Sequence, residues 1–272
     1  MKGKIMNNNQ ATINKLTTMR LSGMAGAFRT AIETGMYRNF SQDELVSHCT
    51  DAEWDDKKNR RLKALIQDAK FKYSACMADI DLGLSRNLDK SAMLRLTDCG
   101  WVVRNENVIV TGPTGSGKSF ISSALGHQAC LCDFRTGYYS CLKLFKAMRI
   151  YKAEGTWIKE LKKIQKQKVI ILDDLGIEPF DSLSRLALLE ILEDRYNQGA
   201  TIVVSQIPVI KWHETIGDDT IADAICDRLL HNAHRIEFKG ESVRKLYKKI
   251  VIKDEENRPF ESNVIDSKQP LE

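Results

Sequence analysis

Eight residues, "GPTGSGKS" at 112–119, have the types and the spacing to hold a polyphosphate. Gly112, Gly115 and Gly117 let the backbone fold closely around phosphate oxygens, and Pro113, Thr114 and Ser116 complete the loop between them. The pattern G-x-x-x-x-G-K-[ST] follows the apolar run "NVIV" and opens the helical pattern "SFISSALGHQACLC". At a helix start, free N–H groups and the positive end of the dipole point at anions. Lys118 is then expected to reach the β and γ phosphates of ATP, with the Ser119 hydroxyl on Mg²⁺. The strand–turn–helix setting separates this motif from an ordinary glycine turn.

A second stretch, "VIILDDLG" at 169–176, supplies the complementary half. A buried strand ending in two acids delivers them to the edge where parallel sheets bind ligands. Asp173 is expected to hold Mg²⁺ through water, and Asp174 to orient or deprotonate an attacking water. The strand ending "RTGYYS" is expected between the two motif strands, which sets the layout apart from nucleoside kinases and small GTPases. Gln206, in "VVSQIP", falls where a side chain between the motif strands would sense the γ-phosphate; an ordinary loop amide is the plain alternative. Further on, "CDRLLHNAHR" at 226–235 gathers Cys226, His231 and His234, whose spacing matches no common zinc pattern. These three read as packing and helix-end residues. Arg228, flanked by Ile225, Leu229 and Leu230, either snorkels or pairs with an acid such as Asp227 or Asp223, or is offered to something the chain does not contain by itself.

The elements that must position these side chains follow from periodicity. Before about residue 100 the patterns are helical: "TINKLTTMRLSGMAGAFRTAIETG" carries apolar residues at helix spacing, with Gly35 as a stop. "SQDELVSHCTDAEWDDKKNRRLKALIQDAKF" opens with a capping box, Ser41 followed by Glu44. In it Leu62, Leu65, Ile66, Ala69 and Tyr73 share a face opposite Lys57, Lys58, Arg60, Arg61, Lys63, Lys70 and Lys72. After Asn105 short apolar strands alternate with helices: "NVIVTG", "RTGYYS", "KVIILDD", "ATIVVS" and "HRIEF" are the strands. Five strands separated by helices imply a parallel sheet covered on both faces.

Composition sets outer bounds. The 272 residues suffice for one sizeable core, or a core with a small second domain. A balance of 41 Lys and Arg against 36 Asp and Glu permits a polyanionic partner without demanding one. No run approaches a membrane span, and no apolar run of signal-peptide length follows the polar start. Seven scattered cysteines with no C-x-x-C pair read as reduced thiols, and the expected compartment is the cytoplasm.

From about Leu16 to Lys245 the chain resembles IstB-type helper ATPases of insertion sequences, in the DnaC and DnaA-like branch of AAA+ ATPases. The blocks that carry the resemblance are "LRLSGMAGAF", "EWDDKKNRRLKALIQDAKF", "DIDLGLSRNLDK", "NVIVTGPTGSGKS", "VIILDDLG", "LLEILEDRY" and "SQIPVIKWHETIGDDTIADAICDRLLHNAHRIEFKGES". The resemblance implies an α/β fold: an AAA+ P-loop core with a five-stranded parallel sheet between helices, a small all-α N-terminal domain and a reduced lid. The expected divisions are a helical domain over 1–75, a linker over 76–104, the ATPase core over 105–250 and a disordered tail over 251–272.

The same resemblance implies nucleotide-dependent homo-oligomers on duplex DNA, presenting that DNA to a partner transposase. Arg228 would be the arginine finger acting on a neighbour's γ-phosphate, and Arg244 a second sensor in its own subunit. A helical insertion beside the second strand suggests DNA contacts through Lys143, Lys146, Arg149, Lys152, Lys162 and Lys163, with Arg60 and Arg61 as a second candidate site. A DnaC-like helicase loader binding single-stranded DNA is the alternative. A monomeric small-molecule kinase and a DNA scaffold with vestigial hydrolysis are more distant ones.

Overall fold

The computed structural model describes residues 2–80 and 88–239. Two helices, α1 (Lys2–Thr18) and α2 (Ser22–Glu33), occupy the helical stretch expected before Gly35. They are separated at Arg20, which adopts a left-handed φ of 61°. The chain leaves α2 through Gly35, at φ 75°, as the sequence suggests. Long α3 (Gln42–Ala69) opens on the predicted capping box: the Glu44 N–H donates to Ser41 Oγ at 3.3 Å, and the Ser41 N–H donates to Glu44 Oε2 at 2.7 Å. Lys70 turns left-handed and ends α3 there, so Tyr73 lies beyond the helix instead of on its apolar face. Helices α2 and α3 approach closely because Gly23 has no side chain; a Cβ there would stand 2.4 Å from the Ala52 carbonyl oxygen.

The second half alternates as expected: β1 (Asn107–Thr111), α6 (Lys118–Leu131), β2 (Thr136–Ser140), β3 (Val169–Leu175), α9 (Ser182–Arg195), β4 (Ala200–Ser205), α11 (Asp219–Leu230) and β5 (Ala233–Glu237). Between β2 and β3 run two helices, α7 (Cys141–Ala153) and α8 (Trp157–Gln165), split at Gly155 with φ 69°. A short α10 (Trp212–Ile216) precedes α11. The strands form one parallel sheet in the order β2-β3-β4-β1-β5. The expected separation of the two motif strands holds, but the intervening strand is β4; β2, the "RTGYYS" strand, lies at the edge.

Alternation along the buried central strands builds two cores. Ile109, Ile170, Leu172 and Val203 face α7 to α11, packing with Met148, Trp157, Leu188, Ile191, Trp212 and Ile225. Val108, Val110, Ile171, Ile202 and Val204 face the other way, onto Ile121 and Leu125 of α6.

The stretch expected as a linker contributes to this second core. Within it α4 (Lys90–Thr97) and α5 (Gly100–Val103) bury Met93, Leu96, Trp101 and Val102 against the sheet. Trp101 anchors the turn by donating its indole N–H to the Leu96 carbonyl at 3.0 Å. The region of the reduced lid, Arg244 and the tail from 251 lie outside the described residues.

Candidate active site

The phosphate loop leaves the C-terminal end of β1 and runs straight into α6. Gly115 and Gly117 have φ of 80° and 98°, conformations that side chains resist, and Gly112 at φ 142° lies against Phe238, where a Cβ would meet backbone at 2.8 Å. Lys118 is 7% exposed and donates to the carbonyls of Gly112 at 2.7 Å and Pro113 at 2.8 Å, so its ammonium lies within the loop's own curve. Burial lowers its pKa, more than Asp173 and Asp174 raise it. Ser116 Oγ is buried without a partner among the described residues. The hydroxyl of Thr114 donates to Gln206 Oε1 just beyond β4, tying the sensing position to the loop.

Asp173 and Asp174 owe their arrangement to a break in β3. Adjacent residues of a regular strand point to opposite faces. Here the register with β4 slips between Leu172 and Leu175, and Asp174 takes φ 63°. A bulge of this kind re-aims side chains, and both carboxylates reach one point: Lys72 Nζ stands 3.1 Å from Asp173 Oδ2 and 3.4 Å from Asp174 Oδ2. Asp173 has no exposed surface; its Oδ1 accepts from the Ser119 hydroxyl at 3.1 Å and from the Asp174 N–H at 2.9 Å. The Tyr138 hydroxyl, from edge strand β2, donates to Asp173 Oδ2.

Burial and the neighbouring carboxylate push the Tyr138 phenol well above its ordinary pKa, so it remains a donor. Burial opposes the charge on Lys72, but Asp173 and then Asp174 outweigh it and raise its pKa. A buried carboxylate beside a hydroxyl is a hard oxygen donor set, and Lys72 already supplies a positive charge to it. Ser119 and Asp173 therefore fit Mg²⁺.

Sequence reasoning missed Lys72 and Tyr138. Tyr138 lies on the strand beside β3, but its partner is 35 residues away. Lys72 is 101 residues from Asp173 and reads, along the chain, as one of many solvated lysines.

Arg228 takes neither acid suggested by its neighbourhood. Its guanidinium pairs with Glu193 on α9 and donates to the Ala224 carbonyl at 2.7 Å. It lies at the opposite end of the sheet from the phosphate loop: Asn107, which opens β1, donates to the Arg228 carbonyl at 2.8 Å. Of its companions, His234 binds Glu106 at 2.8 Å and His231 closes α11.

The basic residues of α7 and α8 do not form one stripe. Lys143 and Lys163 line a cleft of about 780 Å³ beside β2, whereas Lys146 and Arg149 face a smaller groove that includes Phe180. Arg149 pairs with Asp181 at 2.6 Å, Lys152 with Glu190 at 3.8 Å and Lys163 with Glu160 at 2.6 Å. Lys143, Lys146 and Lys162 are exposed and have no carboxylate partner among the described residues. Arg60 is held by Glu53 and Asp56, and Arg61 by Asp133, a contact that ties α3 to the loop before β2.

A P-loop opening a helix, a pair of acids two strands away and a β2-β3-β4-β1-β5 parallel sheet define an AAA+ P-loop protein. Solved structures with this fold include the DnaC helicase loader (TM-score 0.52, 18% identity, covering 63% of this chain and 100% of that one) and DnaA bound to AMPPCP and single-stranded DNA (TM-score 0.54, 17% identity, 72% and 60%). Residues 14–250 match the family described as IstB-like ATP binding protein, and the chain belongs to that family. It is 40% identical over 234 residues to the insertion sequence ATP-binding protein y4pL of Sinorhizobium fredii, covering 86% of this chain and 96% of that protein. It is 35% identical over 200 residues to the ATP-binding protein of insertion sequence IS1162 from Pseudomonas fluorescens, covering 73% and 87%.

Proposed function

We propose that this chain hydrolyses ATP in homo-oligomers that assemble on duplex DNA and present it to the transposase of an insertion sequence. The position of Arg228 carries the oligomeric part of this reading. The length of β1, roughly 15 Å at strand rise, lies between it and the chain's own phosphate loop. An arginine finger needs contact with the γ-phosphate, so Arg228 serves a nucleotide held by a neighbouring copy. There it stabilises the charge that spreads over the transferring phosphoryl group.

Within one chain, Lys118 and the loop amides hold the β and γ phosphates, and Gln206, anchored to Thr114, reads the γ position. Asp174, at the edge of the bulge and 24% exposed, orients or deprotonates the attacking water. Mg²⁺ bound at Ser119 and Asp173 would neutralise charge on the phosphates.

Exposed Lys143, Lys146 and Lys162 are available for DNA phosphates without first leaving a carboxylate among the described residues. The insertion sequence relatives, matched over most of their length, support the transposition context. Seven free cysteines fit a reducing cytoplasm, and among the described residues no helix is long and apolar enough to cross a membrane.

Sedimentation with ATP and Mg²⁺ tests this reading, comparing no DNA, single strands and duplex. Large assemblies that need duplex and ATP, and weaken with ADP, are expected. Preference for single strands would favour the helicase-loader reading, for which the DnaC structure offers fold similarity alone. A monomer in every condition would overturn the shared site.

A further inference from the structure

The acids at the end of β3 face a positive charge that the chain brings to itself. Lys72 Nζ contacts both carboxylates, at 3.1 Å and 3.4 Å, and belongs to the short stretch leading from α3 into the core. Asp173 Oδ2 receives both Lys72 and the Tyr138 hydroxyl, while Oδ1 receives Ser119 and the Asp174 N–H. The Lys72 ammonium thus balances, through Oδ2, the same buried carboxylate that fits a hard divalent ion together with Ser119. Two cations at hydrogen-bonding range of one buried carboxylate repel each other, although the partly exposed Lys72 ammonium is screened by water on its open side.

We infer that Lys72 and the divalent cation compete for Asp173, so that binding of a metal–nucleotide complex drives Lys72 off the acids and shifts the segment joining α3 to the core. This rests on the assignment of Asp173 to Mg²⁺. The displaced ammonium has room, because the cleft of about 780 Å³ beside β2 is lined by Lys72 and reaches Asp174. The displacement also has a lever. Lys72 lies two residues past Lys70, whose left-handed turn ends α3, and the buried Ala69 fixes that end of the helix against its neighbours. Occupancy of the nucleotide site is thereby coupled to the helix that carries the N-terminal domain. While Lys72 is in place it also shields an incoming nucleotide from two bare carboxylates.

Binding of a fluorescent ATP analogue to the full chain, in Mg²⁺ and in EDTA, tests the exchange in wild type, Lys72→Met and Asp173→Asn. Lys72→Met should bind the Mg²⁺ complex about tenfold more tightly and the metal-free analogue about tenfold more weakly, the size expected for one charge-assisted hydrogen bond. Unchanged affinities, or equal weakening in both conditions, would overturn the inference; equal weakening would make Lys72 a phosphate ligand or a structural residue. Asp173→Asn should lose most of the Mg²⁺ dependence. If it does so while Lys72→Met keeps the wild-type ratio, the metal assignment stands and the competition alone is wrong. If Asp173→Asn retains full Mg²⁺ dependence, the assignment falls and the inference with it.

A measurement on the wild-type protein needs no variant to fold. Acylation of Lys72, followed by mass spectrometry, should be slow in the free chain and several-fold faster with Mg²⁺–AMPPNP. Unchanged protection would overturn the inference.

Discussion

Arg228 is the residue whose chemistry depends most on where it stands. Beside Leu229 and Leu230 it could have been a snorkelling side chain, and in isolation its pairing with Glu193 would be an unremarkable ion pair. Its place at the far end of β1 from Lys118 makes a sharp prediction about trans action. Arg228→Ala and Lys118→Ala should each lower ATP turnover by about a thousandfold, the scale of an arginine finger, and only Lys118→Ala should lose ATP binding. Mixed in equal amounts, the two inactive proteins should regain a measurable part of the wild-type rate, because a Lys118→Ala copy still offers Arg228 to an intact nucleotide site. A steady-state ATPase assay across mixing ratios measures this; no recovery at any ratio would argue that Arg228 does not act between copies.

At the scale of elements, the bulge in β3 turns a strand end into a site. A regular strand would have sent Asp173 and Asp174 to opposite faces, whereas the left-handed Asp174 brings them to a common point. The stretch before β1 has a comparable role in stability. There Glu106 accepts from Arg104 at 2.7 Å and meets His234 of β5 at 2.8 Å, joining α5 to the far edge of the sheet. The Arg104 bond holds the Glu106 pKa at about 2 against a smaller opposing effect of burial, with His234 adding to it.

A folded-state pKa below the unfolded value means that the stabilisation is present above the ordinary glutamate range and is lost as pH falls toward 2. Glu106→Gln should therefore cost about 1 kcal/mol at pH 7. Its urea midpoint should converge on that of the wild type as pH drops below about 4. A constant gap at every pH would remove the charge from the explanation.

Over the whole molecule, the question is which basic surface meets DNA. Arg60, Arg61, Arg149, Lys152 and Lys163 are engaged with carboxylates, so of the candidate DNA contacts Lys143, Lys146 and Lys162 are the exposed ones without such partners among the described residues. A lysine that neutralises a phosphate releases counterions, so log affinity falls linearly with log salt, by about 0.9 for every phosphate neutralised on duplex. Replacing Lys143, Lys146 and Lys162 by Gln should flatten that slope by roughly two to three while leaving ATP binding in the absence of DNA unchanged. Fluorescence anisotropy on duplex at several salt concentrations reads it, and an unchanged slope would move the DNA surface elsewhere.

By itself the sequence determined what is local or periodic. The phosphate loop at 112–119, the apolar strands, the capping box at Ser41 and the parallel α/β layout were all legible, because hydrogen bonds and hydrophobic periods within a few residues specify them. Tertiary structure decided what depends on the meeting of distant segments. It placed β4 between the motif strands and put β2 at the edge, where Tyr138 reaches Asp173. It built α4 and α5 into the core from a stretch that reads as a linker, and chose Glu193 for Arg228. It also brought Lys72 to Asp173 across 101 residues. No pattern along the chain encodes such meetings, because they arise only when a parallel sheet and two packed cores bring the segments to the same place.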